Sequence, residues 1–488
     1  MLRILLTHAY FLNYDQKQRE RAKPYPPLAT LQLASLIRDL GHQVSFFDSM
    51  LADGVEAFNE HLRRHDPQLC IIYEDNFNFL SKMCLGRMRS AACKMVEAAK
   101  RTGAVVAVSG SDASDSPEPY LDHGADVVMI GEGIAALITL VKRLDTVPQQ
   151  LNGARIEGME GIAFKSAGRV KRVPADVARS REVSVGRAAW DLVDIDLYRR
   201  TWQSAHGFFS MNMASSRGCS FKCNWCSKPI WGNSYIQRDA LDVAQEMQQI
   251  KRSYDPDHIW FADDIFGMRP DWVRQFASHV RDLGASIPFT IQSRPDLMSD
   301  KAVSALRDAG CAEVWMGAES GSQKILDAMD KGTTVAQVRA ARGRLRLAGI
   351  RGSFFIQLGY LGETLADILE TRRLIRESVP DDIGVSVSYP LPGTKFYESV
   401  RADLGVKANW DESDDLEMMF QGTYHSDFYR AVRDLLHDEN RIQNRHHGED
   451  GTQSGADMDA VEDRWQRLVA DERRYRLKPP PFLLKKLP

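Results

Sequence analysis

Arg217-Gly218-Cys219-Ser220-Phe221-Lys222-Cys223-Asn224-Trp225-Cys226 sets three thiols on one short loop, spaced C-x3-C-x2-C. Thiolates so spaced can ligate three corners of a cubane 4Fe–4S cluster and leave one iron without a protein ligand. An open iron is a place for a small molecule to bind. A zinc site is the competing reading, but tetrahedral zinc wants four ligands. No further Cys or His stands close: His206 precedes the loop and His258 follows well after it.

The stretch before the loop, FSMNMASS (209–216), reads as a strand, and it opens a βα series. Further strand candidates are DHIWFAD (257–263), IPFTIQS (287–293), EVWMGAE (313–319), GSFFIQLG (352–359) and GVSVSYP (384–390), with helix-like stretches between them. In 239–252, for instance, Asp239 is placed to N-cap a helix whose stripe is Leu241, Ala244, Met247 and Ile250. Six βα repeats in this length suit a partial, open TIM-like (β/α)6 barrel over 206–400, whose chemistry sits at the carboxyl ends of the strands.

Ahead of it, residues 1–150 alternate short apolar runs with helical patterns: LRILLTH (2–8), QVSFFD (43–48), QLCIIY (68–73), AVVAVSG (104–110) and ADVVMIGEG (125–133). The periodic residues Leu33, Leu36, Ile37 and Leu40 end at Gly41, as a helix C-cap would. Such alternation implies a Rossmann-like parallel sheet covered on both faces, with ligands beyond the carboxyl ends of its strands. Ser109-Gly110-Ser111-Asp112 and Gly131-Glu132-Gly133 fall at that edge. Residues 151–205 read as a linker with a short hairpin at 160–175. Residues 401–488 read as a mainly helical region with a polar, mobile loop at 446–460 and a basic, proline-rich tail.

With 488 residues the chain exceeds one ordinary core, and 43% hydrophobic against 26% charged residues is the balance of a globular α/β protein. Basic residues number 63 and acidic ones 66, giving a net charge of −3, which offers no field to gather nucleic acid. No apolar stretch is long enough to span a bilayer, and the start carries no cleavage site, so the expected location is cytoplasmic. An odd count of seven cysteines argues against a disulfide framework.

The cysteine spacing, with an aromatic residue, Trp225, just before the third thiol, resembles the radical S-adenosylmethionine (SAM) superfamily. The resemblance implies a 4Fe–4S cluster on Cys219, Cys223 and Cys226 whose open iron chelates the methionine end of SAM. Reductive cleavage then gives a 5′-deoxyadenosyl radical. It further implies SAM contacts at the ends of the later strands: Asp263 and Asp264 for the ammonium, Arg294 for a carboxylate, and Glu319 and Ser320 for the ribose. Segments beginning at Gln357 (QLGYLGE) and Pro390 (PLPGT) would wrap adenine and methionine.

KPYPPLATLQLAS (23–35), SGSDASDSPE (109–118) and GADVVMIGEG (124–133), together with FQGTYHSDFYRAVRD (420–434), resemble the cobalamin-binding radical SAM proteins. That group includes the anaerobic magnesium-protoporphyrin monomethyl ester cyclase and B12-dependent C-methyltransferases. One departure is the lack of a D-x-H-x-x-G motif; the segment Tyr73–Phe79 offers no imidazole. The resemblance therefore implies cobalamin held base-off without a protein His, with Asn76 near its lower face. Ser109, Gly110, Ser111, Asp112, Gly131, Glu132 and Gly133 would hold its nucleotide tail. The implied reaction is methylation of an unactivated carbon of a small molecule through methylcobalamin, driven by a low-potential donor such as a flavodoxin or ferredoxin. Oxidative cyclisation without methyl transfer is the enzymatic alternative, and a noncatalytic corrinoid or iron–sulfur binding protein the other.

Overall fold

The computed structural model describes all residues except 79–84, 147–155, 157, 176–185, 227–233, 407–409, 411–415, 447–453 and 478–488. Phe79, parts of the 151–205 linker, the start of the polar loop and most of the basic tail therefore lie outside the described residues.

The first sheet comprises β1 (Arg3–Thr7), β2 (Gln43–Phe47), β3 (Leu69–Tyr73), β4 (Val105–Ser109), β5 (Val127–Met129), β6 (Ile162–Ser166) and β7 (Arg169–Val173), in the order β2-β1-β3-β4-β5-β6-β7. Its first five strands are parallel. Successive side chains point to opposite faces, so both faces must be covered, and LCIIY and VVAVS are buried at every position. Ile4, Leu6, Ile71 and Tyr73 pack with helices Leu28–Asp39 and Ile134–Thr146. Leu5, Cys70, Ile72, Val106 and Val108 pack with helices Val55–His65 and Gly86–Arg101. The strand order reverses between β1 and β3, which makes the crevice beyond their carboxyl ends the natural ligand site of this sheet.

The hairpin expected inside the linker instead extends this sheet: β6 pairs antiparallel with β5, and β7 with β6. Ile162, Ala163 and Phe164 are buried there, and that apolar face is what draws the hairpin onto the edge strand.

The second sheet holds β8 (Ser210–Met213), β11 (His258–Phe261), β12 (Phe289–Ser293), β13 (Cys311–Glu319), β14 (Arg351–Leu358) and β15 (Ile383–Val387). The order is β15-β14-β13-β12-β11-β8, every neighbouring pair is parallel, and the two edge strands do not pair. This is the open half-barrel that the βα pattern predicts. Val314, Met316, Phe354 and Ile356 are buried under the outer helices, while the alternating residues Trp315 and Phe355 are half-buried on the other face, their rings stacked 4.8 Å apart. A small antiparallel ribbon, β9 (Ser216–Gly218) with β10 (Tyr235–Gln237), brackets the cysteine loop.

Helix Ala240–Tyr254 begins at Asp239, whose carboxylate accepts from the amides of Leu241 and Asp242. Its buried face differs from the expected stripe. Ala240, Val243, Ala244, Met247 and Ile250 are buried, whereas Leu241 is exposed, because the 3.6-residue repeat runs back from Ala244 to Ala240.

The helix layer of the first sheet and the half-barrel meet through the segment KPYPP (23–27). Asn212 Nδ2 donates to the Pro26 carbonyl at 2.9 Å, Tyr25 Oη and Ser210 Oγ lie 2.9 Å apart, and Trp202 Nε1 donates to the Pro24 carbonyl at 2.7 Å. At the other end, helices Ser426–His446 and Ser454–Ala470 pack on the barrel. Arg372 pairs with Glu439 and Glu462 at 2.8 and 2.6 Å and lies 4.6 Å over the Trp465 ring. Residues 454–460 are thus helical rather than loop, since Val461, Trp465 and Leu468 supply a buried stripe one turn apart. No described helix is long and apolar enough to cross a membrane.

Candidate active site

The cysteine loop leaves β9 at Gly218, whose φ of +76° is the left-handed turn that favours glycine. Cys219, Cys223 and Cys226 are all half-buried. Among the described residues no three His, Cys, Asp or Glu side chains converge as ligands of a single ion. A cubane's corner thiolates each take a different iron and need no such common centre.

Asn224 fastens the loop to the barrel with every polar group it has. Its amide donates to the Met329 carbonyl at 3.0 Å, its carbonyl accepts from Phe396 N at 3.0 Å, Nδ2 donates to the Ala328 carbonyl at 2.7 Å, and Oδ1 accepts from Tyr360 Oη at 2.8 Å. Trp225 packs on the apolar cluster of Ile325, Met329, Tyr360 and Phe396. It serves as a wedge beneath the loop, against residues just beyond the end of β14.

Arg294 reaches Cys223 directly. Its Nη1 lies 3.7 Å from the Cys223 sulfur, its guanidinium sits 3.7 Å over the Phe221 ring, and Nε pairs with Asp296 at 2.9 Å. A cation against a thiolate stabilises the negative charge that a cluster brings. Beside it, Lys331 Nζ pairs with Glu319 Oε1 at 2.6 Å, both nearly fully buried. Burial alone would lower the Lys331 pKa, but the Glu319 and Cys223 charges outweigh it and hold the ammonium above its ordinary value. Glu319 has φ +59° at an irregularity where β13 shifts register against β14, and a Cβ on Gly317 would lie 2.5 Å from its carboxylate. Lys331 escapes the sequence reading: it stands in a turn after helix Gln323–Ala328, and no local pattern marks it.

Two expected SAM contacts are placed otherwise. Asp263 is fully buried, with its carboxylate taken by Ser215 N at 3.0 Å, Ser215 Oγ at 2.6 Å and Ser216 Oγ at 2.5 Å. It ties β11 to the β8–β9 turn, and burial pushes its pKa up to about 6. Asp264 beside it is exposed. Ser320 turns its hydroxyl toward Thr371 Oγ1, 3.2 Å away, inside the packing of helix Leu365–Ser378. The close approach there depends on Gly321, where a Cβ would lie 2.2 Å from the Glu370 carbonyl oxygen. Gly321→Ala should therefore destabilise the barrel by about 1–3 kcal/mol, the usual cost of overpacking, readable as a lower midpoint in thermal unfolding.

Gln357, at the end of β14, is 2% exposed, and neither atom of its amide has a hydrogen-bond partner among the described residues. A buried amide is costly unless a ligand satisfies it. Pro390 is buried just beyond β15. Nearby, Glu363 is fully buried with one oxygen accepting from Gly359 N at 2.6 Å, and burial raises its pKa to about 8. The folded state thus keeps a proton that the unfolded chain gives up near its ordinary value of 4.5. This contribution to stability is present below that pH and is lost as pH rises through about 8, at a slope of at most about 1.4 kcal/mol per unit. Glu363→Gln should flatten the pH dependence of chemical denaturation between pH 5 and 8; an unchanged slope would contradict the assignment.

At the edge of the first sheet, Asn76 is 1% exposed, and its side-chain amide lies against the Tyr73 hydroxyl. Its neighbour Asp75 accepts from the amides of Ala29 and Phe77, both at 3.1 Å, and so caps helix Leu28–Asp39. Ser109 is buried, and Gly133 has φ +75°; a Cβ there would meet Met129 at 2.6 Å and Ser109 Oγ at 2.9 Å. Ser111 and Asp112 lie in a short helix whose Asp112 is held by Arg89 and by Tyr120 Oη. Glu132 pairs with Arg217 of β9 across the domain boundary. His8, directly after β1, is an imidazole that the sequence reading passed over. It is 1% exposed, with Nε2 3.3 Å from Asp48 Oδ1, and Tyr198 Oη donates to the other Asp48 oxygen at 2.7 Å. Its place at a strand end was the available signal.

Residues 213–375 match the family described as the radical SAM superfamily. An uncharacterized methyltransferase of Pyrococcus horikoshii is 24% identical over 392 residues, covering 79% of this chain and 81% of that protein. The anaerobic magnesium-protoporphyrin IX monomethyl ester cyclase of Cereibacter sphaeroides is 25% identical over 414 residues, covering 83% of this chain and 64% of that one. Among solved structures, the radical SAM methyltransferase TsrM of Kitasatospora setae, with cobalamin and a 4Fe–4S cluster bound, superposes with a TM-score of 0.66 at 18% identity over 82% of this chain and 78% of that chain. That last likeness is one of fold. The loop of three thiols and most of the half-barrel beneath it fall within residues 213–375, so this stretch carries a radical SAM domain.

Proposed function

We infer that the chain is a cobalamin-dependent radical SAM enzyme that methylates a carbon of a small molecule. The observation that carries the reading is the first sheet. Its strand order puts the switch point at β1 and β3, with the buried side chains of Tyr73 and Asn76 at the carboxyl end of β3. A relative named a methyltransferase and a fold shared with cobalamin-bound TsrM support the choice.

When bound, the cluster, SAM and a corrinoid would supply reductive C–S cleavage and methyl donation; the protein supplies position and charge. Cys219, Cys223 and Cys226 would hold the cluster, with Arg294 offsetting its charge. Lys331 pairs with Glu319 at the rim, where that side chain can accept hydrogen bonds from vicinal hydroxyls, and the Gln357 amide can satisfy a nitrogen heterocycle. Asn76 would meet the corrinoid at the carboxyl end of β3. A low-potential flavodoxin or ferredoxin would reduce the cluster.

Anaerobically reconstituted protein, given hydroxocobalamin, reductant and SAM, should release both 5′-deoxyadenosine and S-adenosylhomocysteine. Release of 5′-deoxyadenosine alone by protein that retains no corrinoid would sink the methyltransferase reading. It would favour a radical oxidation or cyclisation, for which the similarity to the porphyrin cyclase speaks.

A further inference from the structure

The turn Gly131-Glu132-Gly133 closes β5 at the ligand edge of the first sheet, and β9 runs straight into Cys219. The two meet at one ion pair, Glu132 with Arg217, whose side chains are 7% and 11% exposed. The acid is fixed on its own side: its carbonyl accepts from Tyr73 Oη at 2.9 Å, at the end of β3, and from Ser109 Oγ at 3.5 Å, at the end of β4. Both flanking glycines have positive φ, +73° and +75°, and a Cβ on Gly133 would collide with Met129 and Ser109. The base stands in the β9–β10 ribbon, where Arg217 registers with Ile236, two residues ahead of the first thiol. Burial pushes the Glu132 carboxyl up to about 7, and Arg217 opposes that rise. A buried pair of this kind is costly to break, because either charge left alone is unsolvated.

We propose that the Glu132–Arg217 pair couples the two cofactor sites, so that filling the cysteine loop tightens corrinoid binding at the first sheet and the reverse. This rests on reading the N-terminal edge as a corrinoid site. A loop ordered around a cluster immobilises β9, Arg217 then holds Glu132, and Glu132 holds the ends of β3 and β4. The corrinoid meets an edge whose ordering cost has already been met. Linkage makes the effect reciprocal.

The test is equilibrium titration of the full chain with hydroxocobalamin under anaerobic conditions, in cluster-loaded and cluster-free forms. Binding should be about tenfold tighter in the loaded form, within the usual range of such couplings. Arg217→Gln should remove the difference while iron content stays at the wild-type level, and the charge swap Glu132→Arg with Arg217→Glu should restore part of it. A second readout needs no corrinoid: cluster assembly should slow amide hydrogen exchange at residues 130–134 in the wild type and not in Arg217→Gln. Equal affinities in the two wild-type forms, or an undiminished difference in Arg217→Gln, would overturn the coupling while leaving the corrinoid site standing. Failure of hydroxocobalamin to bind either form would overturn the corrinoid reading and the coupling together.

Discussion

Cys223→Ala is expected to abolish the visible absorbance of the reconstituted cluster and all 5′-deoxyadenosine formation, with the fold retained. Three corners of a cubane cannot be held by two thiolates, and Cys223 is the thiol against which Arg294 is laid at 3.7 Å. The side chain is half-buried on a loop anchored independently by Asn224, so its truncation should cost no more than about 1 kcal/mol of stability. Cys70→Ala is the control. Cys70 is fully buried in β3, where burial pushes its thiol up to about 12, and a thiol kept protonated is no iron ligand. Loss of the cluster in Cys70→Ala, or its survival in Cys223→Ala, would contradict the ligand set.

Lys331→Met should destabilise the folded chain by about 3–5 kcal/mol, because it leaves the Glu319 carboxylate buried without its cation. The strain would be felt at the site itself, since Glu319 sits in a left-handed backbone conformation beside Gly317. Lys331→Met combined with Glu319→Gln removes both charges and should recover most of the loss in denaturant unfolding. If single and double variants were equally unstable, the pair would not be what holds this rim together. The double variant should still assemble the cluster, and its weakened affinity for SAM would separate the rim's binding role from its structural one.

What was legible in the sequence follows from how local the signal is. Spacing of thiols along one loop is set by covalent geometry, so Cys219, Cys223 and Cys226 could be read directly. The alternation of strands and helices is equally local, and both sheets follow it. Which way a strand-end side chain turns is not local. Asp263 and Ser320 stand where ligands bind, yet one is consumed by Ser215 and Ser216 and the other turns to Thr371, partners contributed by other elements. Arg217 and Glu132 are 85 residues apart, and although Glu132 stands out at a ligand edge, no local pattern marks Arg217 as its partner. The hairpin β6–β7 was read as a linker because a two-stranded unit carries no mark of the sheet it will join.

A cluster facing a corrinoid between the two sheets would show itself in the metal and corrinoid content of the chain reconstituted anaerobically with iron, sulfide and hydroxocobalamin. After gel filtration one cubane cluster and one corrinoid per chain are expected, with the visible spectrum showing both. A full cluster with no retained corrinoid would contradict it.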